Sequence, residues 1–373
     1  MKIAVNTRLL RKNAMDGIGW FTYNTLKKIT TDNPGIEFHF FFDSVYDEEF
    51  LFASNIVPHH LFPPAKHALL NLAWFEWSVK RKLQSIRPDL FFSPDGILCL
   101  GWQGKQYGVI HDLNFLHIPE ALKYSNRKYY SYVIPKSASK AARIGTVSQY
   151  SKDDLVATLR LSQNKIDVVY CGINSFFHPV STEQANETRH QFTGDCEYFA
   201  FVGTLSPRKN ILRLMEAFEI YKTHTQNNHK LLIVGKAMYK QDELMGYKAK
   251  LSHSSDIIFT GRLPDEDIKK ILGSAIALVY IPIFEGFGIP VIEAMQCNVP
   301  VIASNVTSVP EICGDAALIV DPFNPTDVAE AMKQVIDNEN LRNSLIQKGN
   351  KRKDFFSWDK TADLLWNSIS TVL

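Results

Sequence analysis

The sequence predicts an α/β protein of two domains, each a parallel sheet wrapped by helices, and three observations carry that expectation. The chain has 373 residues, more than one ordinary domain of about 100 to 200 residues holds. Hydrophobic residues make up 45% and charged residues 21%, which excludes a disordered chain, a collagen-like repeat and a coiled coil. Short apolar runs alternate with longer amphipathic stretches almost from end to end, the pattern of βα units around parallel sheets.

The alternation forms two series. In the first, strands are expected at Ile3–Asn6, Glu37–Phe42, Asp89–Phe92, Tyr107–His111, Ile144–Val147 and Ile166–Tyr170. Helices are expected at Phe21–Ile29, Leu70–Ile86, Tyr124–Ala142 and Lys152–Leu159, the third ended or kinked by Pro135. In the second, strands are expected at Tyr198–Gly203, Lys230–Val234, Asp256–Thr260, Ala277–Ile281, Val299–Ala303 and Ala317–Val320, with helices at Asn210–Tyr221, Asp265–Leu272, Pro290–Gln296 and Asp327–Asp337. The segment from Pro179 to Asp195 is polar and closes on a Gly-Asp turn signal. A boundary placed there makes 1–178 the first domain and 179–354 the second. The terminal stretch 355–373 carries Phe355, Phe356, Trp358, Leu364, Leu365 and Trp366, too much apolar surface for a free tail, so it should dock, crossing back to the first domain.

Charge and cysteine usage narrow the function. Lys and Arg number 41 against 39 Asp and Glu, a formal net charge of +2, which is not the balance of a nucleic-acid binder. The five cysteines, Cys99, Cys171, Cys196, Cys297 and Cys313, lack metal-ligand spacing and are odd in number, as expected of a reduced, cytoplasmic protein without structural zinc. The first residues hold too short an apolar run for a signal peptide, and nowhere do about 18 apolar residues follow one another.

The densest chemical signal is ALVYIPIFEGFGIPVIEAMQCNVPVIAS. A buried strand ends at Pro282, a turn carries Glu285, Gly286 and Gly288, and Pro290 suits the start of a helix. Glu293 then lies one turn inside that helix. Glu285 and Glu293 therefore share no helical face, yet both can point into the crevice beyond the strand ends, where open α/β sheets bind ligands; a solvated loop carboxylate and an exposed helix carboxylate are the alternative. In FVGTLSPRKNILRLMEAF a strand runs into Gly203 and Thr204, and Arg208 and Lys209 precede a helix. Two cations there oppose the helix dipole at roughly 0.3 to 1 kcal/mol each unless an anion is bound. Arg208 can grip a phosphate by its fork and Lys209 by its point charge.

Three further stretches stand out. In YGVIHDLNFLHIPE a strand delivers His111 and Asp112 to its carboxyl end, where the histidine is either structural or functional. Asp16-Gly17-Ile18-Gly19 follows the first strand, but Thr22 replaces the third glycine of a dinucleotide fingerprint, so the loop suits close approach of a ligand to backbone amides instead. From Ala121 to Arg143 there are six Lys and Arg and no acid, interleaved with Tyr124, Tyr129, Tyr130 and Tyr132. That stretch fits an anionic membrane surface, a phosphate-bearing acceptor, or a solvated helix face with buried tyrosines.

Taken together, GTLSPRKN, the Glu-x7-Glu run FEGFGIPVIEA, VIHDLNFLHIPE, TVSQYSKDDL and VVYCGINSFFHP resemble the retaining GT-B glycosyltransferases that use nucleotide sugars (glycosyltransferase group 1, family 4), above all bacterial mannosyltransferases of O-antigen and capsule assembly. The resemblance covers the chain from Asn6 to about Phe356. It implies two Rossmann-like domains facing each other across a cleft, the first binding the acceptor and the second the donor. By the same resemblance Glu293 matches the residue that holds the ribose hydroxyls and Glu285 the one beside the donor sugar. Phe287, Gly288 and Ile289 match the loop whose amides meet the sugar and the phosphates. Arg208 and Lys209 match the pair that binds the pyrophosphate, after a loop opening at Gly203 in which Thr204 stands where many members have Arg. His111 matches the histidine near the reacting sugar, and Gly17 and Gly19 the glycine loop facing the acceptor and the distal phosphate.

What this implies is transfer of a sugar, mannose from GDP-mannose, to a glycan or lipid-linked oligosaccharide for cell-surface polysaccharide, with the anomeric configuration retained. No metal and no other cofactor is expected, since fixed cations and helix N–H groups can stabilise the leaving diphosphate and no D-x-D motif is present. The expected place is the cytoplasm, peripheral at the inner face of the membrane through 121–143. Alternatives are a transferase with a UDP-sugar donor, a nucleotide-sugar epimerase or phosphorylase, and, from a different class, a non-catalytic nucleotide-sugar-binding protein of the same fold.

Overall fold

The computed structural model describes residues 1–12, 15–65, 67–236 and 241–373. The chain divides into two compact units, Met1–Gly172 with Ser357–Leu373, and Ile173–Phe356.

In the first unit seven parallel strands form one sheet: β1 (Lys2–Asn6), β2 (Glu37–Phe42), β3 (Ile56–His60), β4 (Leu90–Ser93), β5 (Gln106–Val109), β6 (Arg143–Thr146) and β7 (Ile166–Val168). Their order, β3-β2-β1-β4-β5-β6-β7, reverses direction between β1 and β4, the switch point at which such sheets open a crevice. β1, β2 and β4 are buried on both faces, as expected of central parallel strands, and their residues are mostly Val, Ile, Leu, Ala and Phe. Residues 56–60, a run that Pro58 interrupts, were not among the expected strands. The structure places them at the sheet edge, the position where a strand tolerates proline.

The second unit repeats the plan with β8 (Tyr198–Val202), β9 (Lys230–Val234), β10 (Ile257–Gly261), β11 (Ala277–Tyr280), β12 (Val301–Ser304) and β13 (Leu318–Val320). The order β10-β9-β8-β11-β12-β13 puts its switch point between β8 and β11. The predicted fold class, two parallel α/β sheets, is what the structure holds.

Several helices differ from expectation, among them Gln241–Lys248 and Glu339–Arg352, which were not expected at all. The polar segment at which the sequence places the domain boundary contains a helix, Thr182–Thr193, started by a capping box in which Ser181 and Gln184 exchange side-chain-to-backbone bonds. Pro135 does not end its helix, which runs Tyr124–Lys140. The helix expected from Leu70 is a longer run, Ala68–Ala73, then a π-helical stretch Trp74–Val79, then Lys80–Ile86.

The C-terminal helix Trp358–Ser370 belongs to the first unit, where it packs on helix Gly17–Asp32. Thr361, Ala362, Leu365, Ser368 and Ile369 form its buried face. Tyr107 donates to Ser368 Oγ at 2.8 Å and Thr361 donates to the Tyr170 carbonyl at 2.8 Å.

Candidate functional site

The second unit assembles the strongest cluster at its switch point. β8 leads to Gly203, whose φ of 150° is one that side chains disfavour. The loop then passes exposed Thr204 and tightens into a single turn, Pro207–Lys209, before helix Ile211–Thr225. Asn210 joins turn to helix in a left-handed conformation. Its Nδ2 donates to the carbonyls of Ile281 at 3.2 Å and Pro322 at 2.7 Å. That tie sets the cationic turn against the segment following β11, and the Ile283 N–H adds a bond to the Arg208 carbonyl at 2.8 Å.

From that segment Glu285 meets both cations. Arg208 Nη1 and Lys209 Nζ each pair with Glu285 Oε1, and Arg208 also donates to the Phe284 carbonyl at 3.1 Å. Lys209 and Glu285 are buried, at 6% and 7% exposure, so the charges are strong because water screens them little. Burial works to raise the Glu285 carboxyl, but Arg208 and Lys209 hold it below the usual range, so it stays ionised. The two cations before a helix N-terminus thus share a carboxylate of the chain itself.

Tyr280, at the end of β11, completes the cluster and was not read from the sequence. Lys209 Nζ donates to Tyr280 Oη at 2.5 Å and lies 4.8 Å from the ring centroid, a cation–π contact. The ring is wholly buried and stacks on Phe201. Burial and the Glu285 charge drive the phenol well above its usual titration, so it remains a hydroxyl. In the sequence Tyr280 is one residue of an apolar strand run, and nothing local distinguishes it from core.

The loop after Glu285 is pinned from below. Thr307 Oγ1 accepts the Glu285 N–H at 3.2 Å, and Ser308 Oγ donates to the carbonyls of Glu285 at 2.9 Å and Phe287 at 3.0 Å. These two hydroxyls follow β12 and also escaped the sequence reading. Phe287 is buried edge-on to Phe356, and Gly288 turns the chain at a φ of 108°, which demands glycine. Helix Ile289–Gln296 begins at Ile289, with Pro290 second rather than first. Either position leaves the missing N–H harmless, because the first helical amides have no partner within the helix.

Glu293 sits on that helix in a contrasting environment. It is partly exposed, and desolvation pushes its carboxyl up to about 8, helped by the Asp265 charge. The two glutamates, one on the loop and one on the helix as the spacing predicts, thus differ in protonation at neutral pH.

The remaining expected site residues lie in the first unit. His111, just beyond β5, brings Nε2 within 2.9 Å of the Pro94 carbonyl and packs edge-on to Phe21. A carbonyl only accepts, so Nε2 carries the proton and Nδ1 is left as an acceptor. Burial lowers the imidazole's affinity for a second proton, more than its bond to Pro94 and the charges of Asp112, Asp16 and Asp95 restore it. Gly17 and Gly19 lie in the first turn of helix Gly17–Asp32 rather than in a loop before it. Asp16 Oδ1 accepts the Gly19 N–H at 3.0 Å, and a side chain at Gly19 would press on the Leu9 carbonyl.

Two doubly wound parallel sheets of this strand order in one chain are the architecture of the GT-B class. The crystal structure of Anabaena HepE in complex with UDP and glucose matches with a TM-score of 0.78 and 16% identity, covering 100% of each chain. The Glycosyltransferase Family 4 model matches residues 15–175 and the model "Glycosyl transferases group 1" matches residues 182–352. The chain belongs to this glycosyltransferase family. O-antigen chain mannosyltransferase B of Escherichia coli is 28% identical over 252 residues, 67% of this chain and 66% of that protein. An uncharacterized glycosyltransferase of Methanocaldococcus jannaschii is 29% identical over 352 residues, 92% of this chain and 91% of that protein.

Proposed function

We propose that the protein is a retaining, metal-independent hexosyltransferase that moves mannose from GDP-mannose to a glycan or lipid-linked oligosaccharide in cell-surface polysaccharide synthesis. The observation that carries the reading is the Arg208–Lys209–Glu285 cluster, its Lys209 and Glu285 buried, with two cations on one carboxylate. A paired guanidinium and ammonium suit a diphosphate, which takes Arg208 bidentately and Lys209 as a point charge. Mannose as the sugar is supported by the name of the Escherichia coli relative.

In this reading the bond from the anomeric carbon to the diphosphate oxygen breaks, and its electron pair leaves with the diphosphate. Arg208, Lys209 and the amides at Ile289 stabilise that charge without reorganising. The acceptor hydroxyl bonds to the anomeric carbon on the same face and passes its proton to the departing phosphate oxygen. Gly203, Thr204, Phe287 and Gly288 line the donor loop, and Glu293 takes the ribose hydroxyls. Neutral His111 offers Nδ1 to a sugar hydroxyl, and Gly17 and Gly19 face the acceptor. Among the described residues no helix is long and apolar enough to cross a membrane. The expected place is cytoplasmic, and peripheral contact through 121–143 is supported by Tyr124 and Tyr132, 62% and 54% exposed, each under a cation: Lys128 at 4.8 Å and Lys136 at 3.9 Å from the ring centroids.

Calorimetry with GDP, UDP, dTDP, ADP and CMP, with and without EDTA, tests the donor. EDTA-insensitive preference for GDP, with GDP-mannose turnover, is the expected outcome; preference for UDP keeps a transferase and changes the sugar donor. NMR of the product anomer tests the stereochemistry, and net inversion would overturn retention.

A further inference from the structure

The first unit carries a second face that none of the site chemistry uses. Phe62, Leu69 and Trp77 are 74%, 81% and 62% exposed. Phe62 follows β3, Leu69 lies in helix Ala68–Ala73, and Trp77 projects from the π-helical stretch that continues it. Phe62 and Trp77 line one open groove together with Arg81 and Lys82. A π-helical turn adds a residue to the helical repeat and so changes the direction of the side chains beyond it, and such turns are frequent at functional positions.

The charge of this face has one sign. Between Ile56 and Arg87 the only acidic residue is Glu76. Its two oxygens accept the backbone N–H groups of Leu100 at 2.6 Å and Gly101 at 2.7 Å, so it is committed to the loop beneath. Arg81 and Lys82 therefore rim projecting apolar side chains with no carboxylate from their own segment to balance them.

We propose that this face docks on an anionic lipid bilayer, with Phe62, Leu69 and Trp77 entering the interface and Arg81 and Lys82 meeting headgroup phosphates. Large apolar tips beside flexible cations are the composition that lies in a membrane interface, where tryptophan is enriched. Anionic headgroups supply the charge that the segment lacks. A second copy of the chain fits poorly, because a two-fold contact sets the same patch against itself and brings Arg81 and Lys82 onto their own equivalents. The inference deepens the reading of a lipid-linked acceptor. It adds to the expected contact through 121–143, since helix Ala68–Ala73 packs against helix Tyr124–Lys140.

Flotation of the full chain with vesicles tests the proposal. Binding is expected to phosphatidylglycerol–phosphatidylcholine vesicles, falling as salt shortens the screening length, with little binding to phosphatidylcholine alone. The double substitution Leu69→Ser, Trp77→Ser is expected to lower the bound fraction by about tenfold, since less apolar area is buried. The pair Arg81→Glu, Lys82→Glu is expected to remove the preference for anionic vesicles, with thermal melts reporting that both variants fold. The proposal is overturned if the wild type stays unbound at low salt, or if binding is lost only on Lys128→Glu with Lys136→Glu. Light scattering that shows a dimer dissociated by Trp77→Ser would also overturn it, in favour of self-association. Flotation needs neither donor nor acceptor, so vesicle binding without sugar transfer would remove the proposed function and leave this surface standing.

Discussion

The two sheets share the order of six strands and the switch-point position, the first adding β7 at its edge, yet the ion pairs at those points differ in stoichiometry. Beyond β1 and β4, Arg8 meets Asp95 with Nη2 at 2.6 Å and Nε at 2.8 Å. Asp95 also accepts from Asn6 Nδ2 at 3.0 Å, Ser93 Oγ at 2.9 Å and the Ile97 N–H at 3.2 Å. One cation faces one saturated carboxylate, and the pair is neutral. Burial opposes the Arg8 charge, but Asp95 outweighs it. Beyond β8 and β11, two cations share the one carboxylate of Glu285. The first arrangement ties two strand ends together; the second gathers two cations on one carboxylate. The difference teaches that topology selects the location and that the count of charges decides its use.

The comparison can be broken at its structural end first. Arg8→Ala leaves Asp95 buried without its cation and is expected to cost about 3 to 5 kcal/mol in denaturant unfolding. A loss under 1 kcal/mol would mean that the first switch point is no structural tie. Lys209→Ala leaves Arg208 on Glu285, so stability should change less, while turnover with the donor falls by about 2 to 4 kcal/mol of transition-state stabilisation. If steady-state kinetics show unchanged kcat/KM, the reading of Lys209 as a cation for the diphosphate fails. Tyr280→Phe keeps the ring and removes only the hydroxyl that receives Lys209. It is expected to cost about 1.5 kcal/mol, a little over tenfold, in nucleoside diphosphate affinity with little change for the monophosphate; equal losses for both would make Tyr280 a packing residue.

The smallest effect separates the two glutamates by pH. Glu285 is held low, so its contribution to stability is present above its ordinary pKa and fades as pH falls through the lowered value. Glu293 is raised to about 8, so its contribution is complete below the ordinary carboxyl range and fades as pH rises toward about 8. Denaturation midpoints of wild type and Glu293→Gln should therefore diverge between pH 5 and about 8, the wild type losing relative stability. Parallel curves would show that Glu293 titrates normally.

Much of the fold is legible in the chain because its signals are local. The apolar runs at Glu37–Phe42 and Lys230–Val234 mark their strands to the residue, and the cations before Ile211 mark a loaded helix start. The misses are also physical. Pro58 weakens a strand signal that an edge position tolerates. The Ser181–Gln184 capping box was present in a segment whose polarity reads as linker.

What the sequence by itself determined is the alternation that makes two parallel sheets, together with the residue types at Arg208, Lys209, Glu285 and Glu293, since period and chemistry are carried by neighbours along the chain. Only the tertiary structure decided which charges meet. Arg8 and Asp95 are 87 residues apart and Arg208 and Glu285 are 77 apart, and Tyr280 becomes part of the cluster because β11 pairs beside β8. Burial and pairing are properties of that packing, and they hold Glu285 ionised while raising Glu293, two residues of the same type eight positions apart.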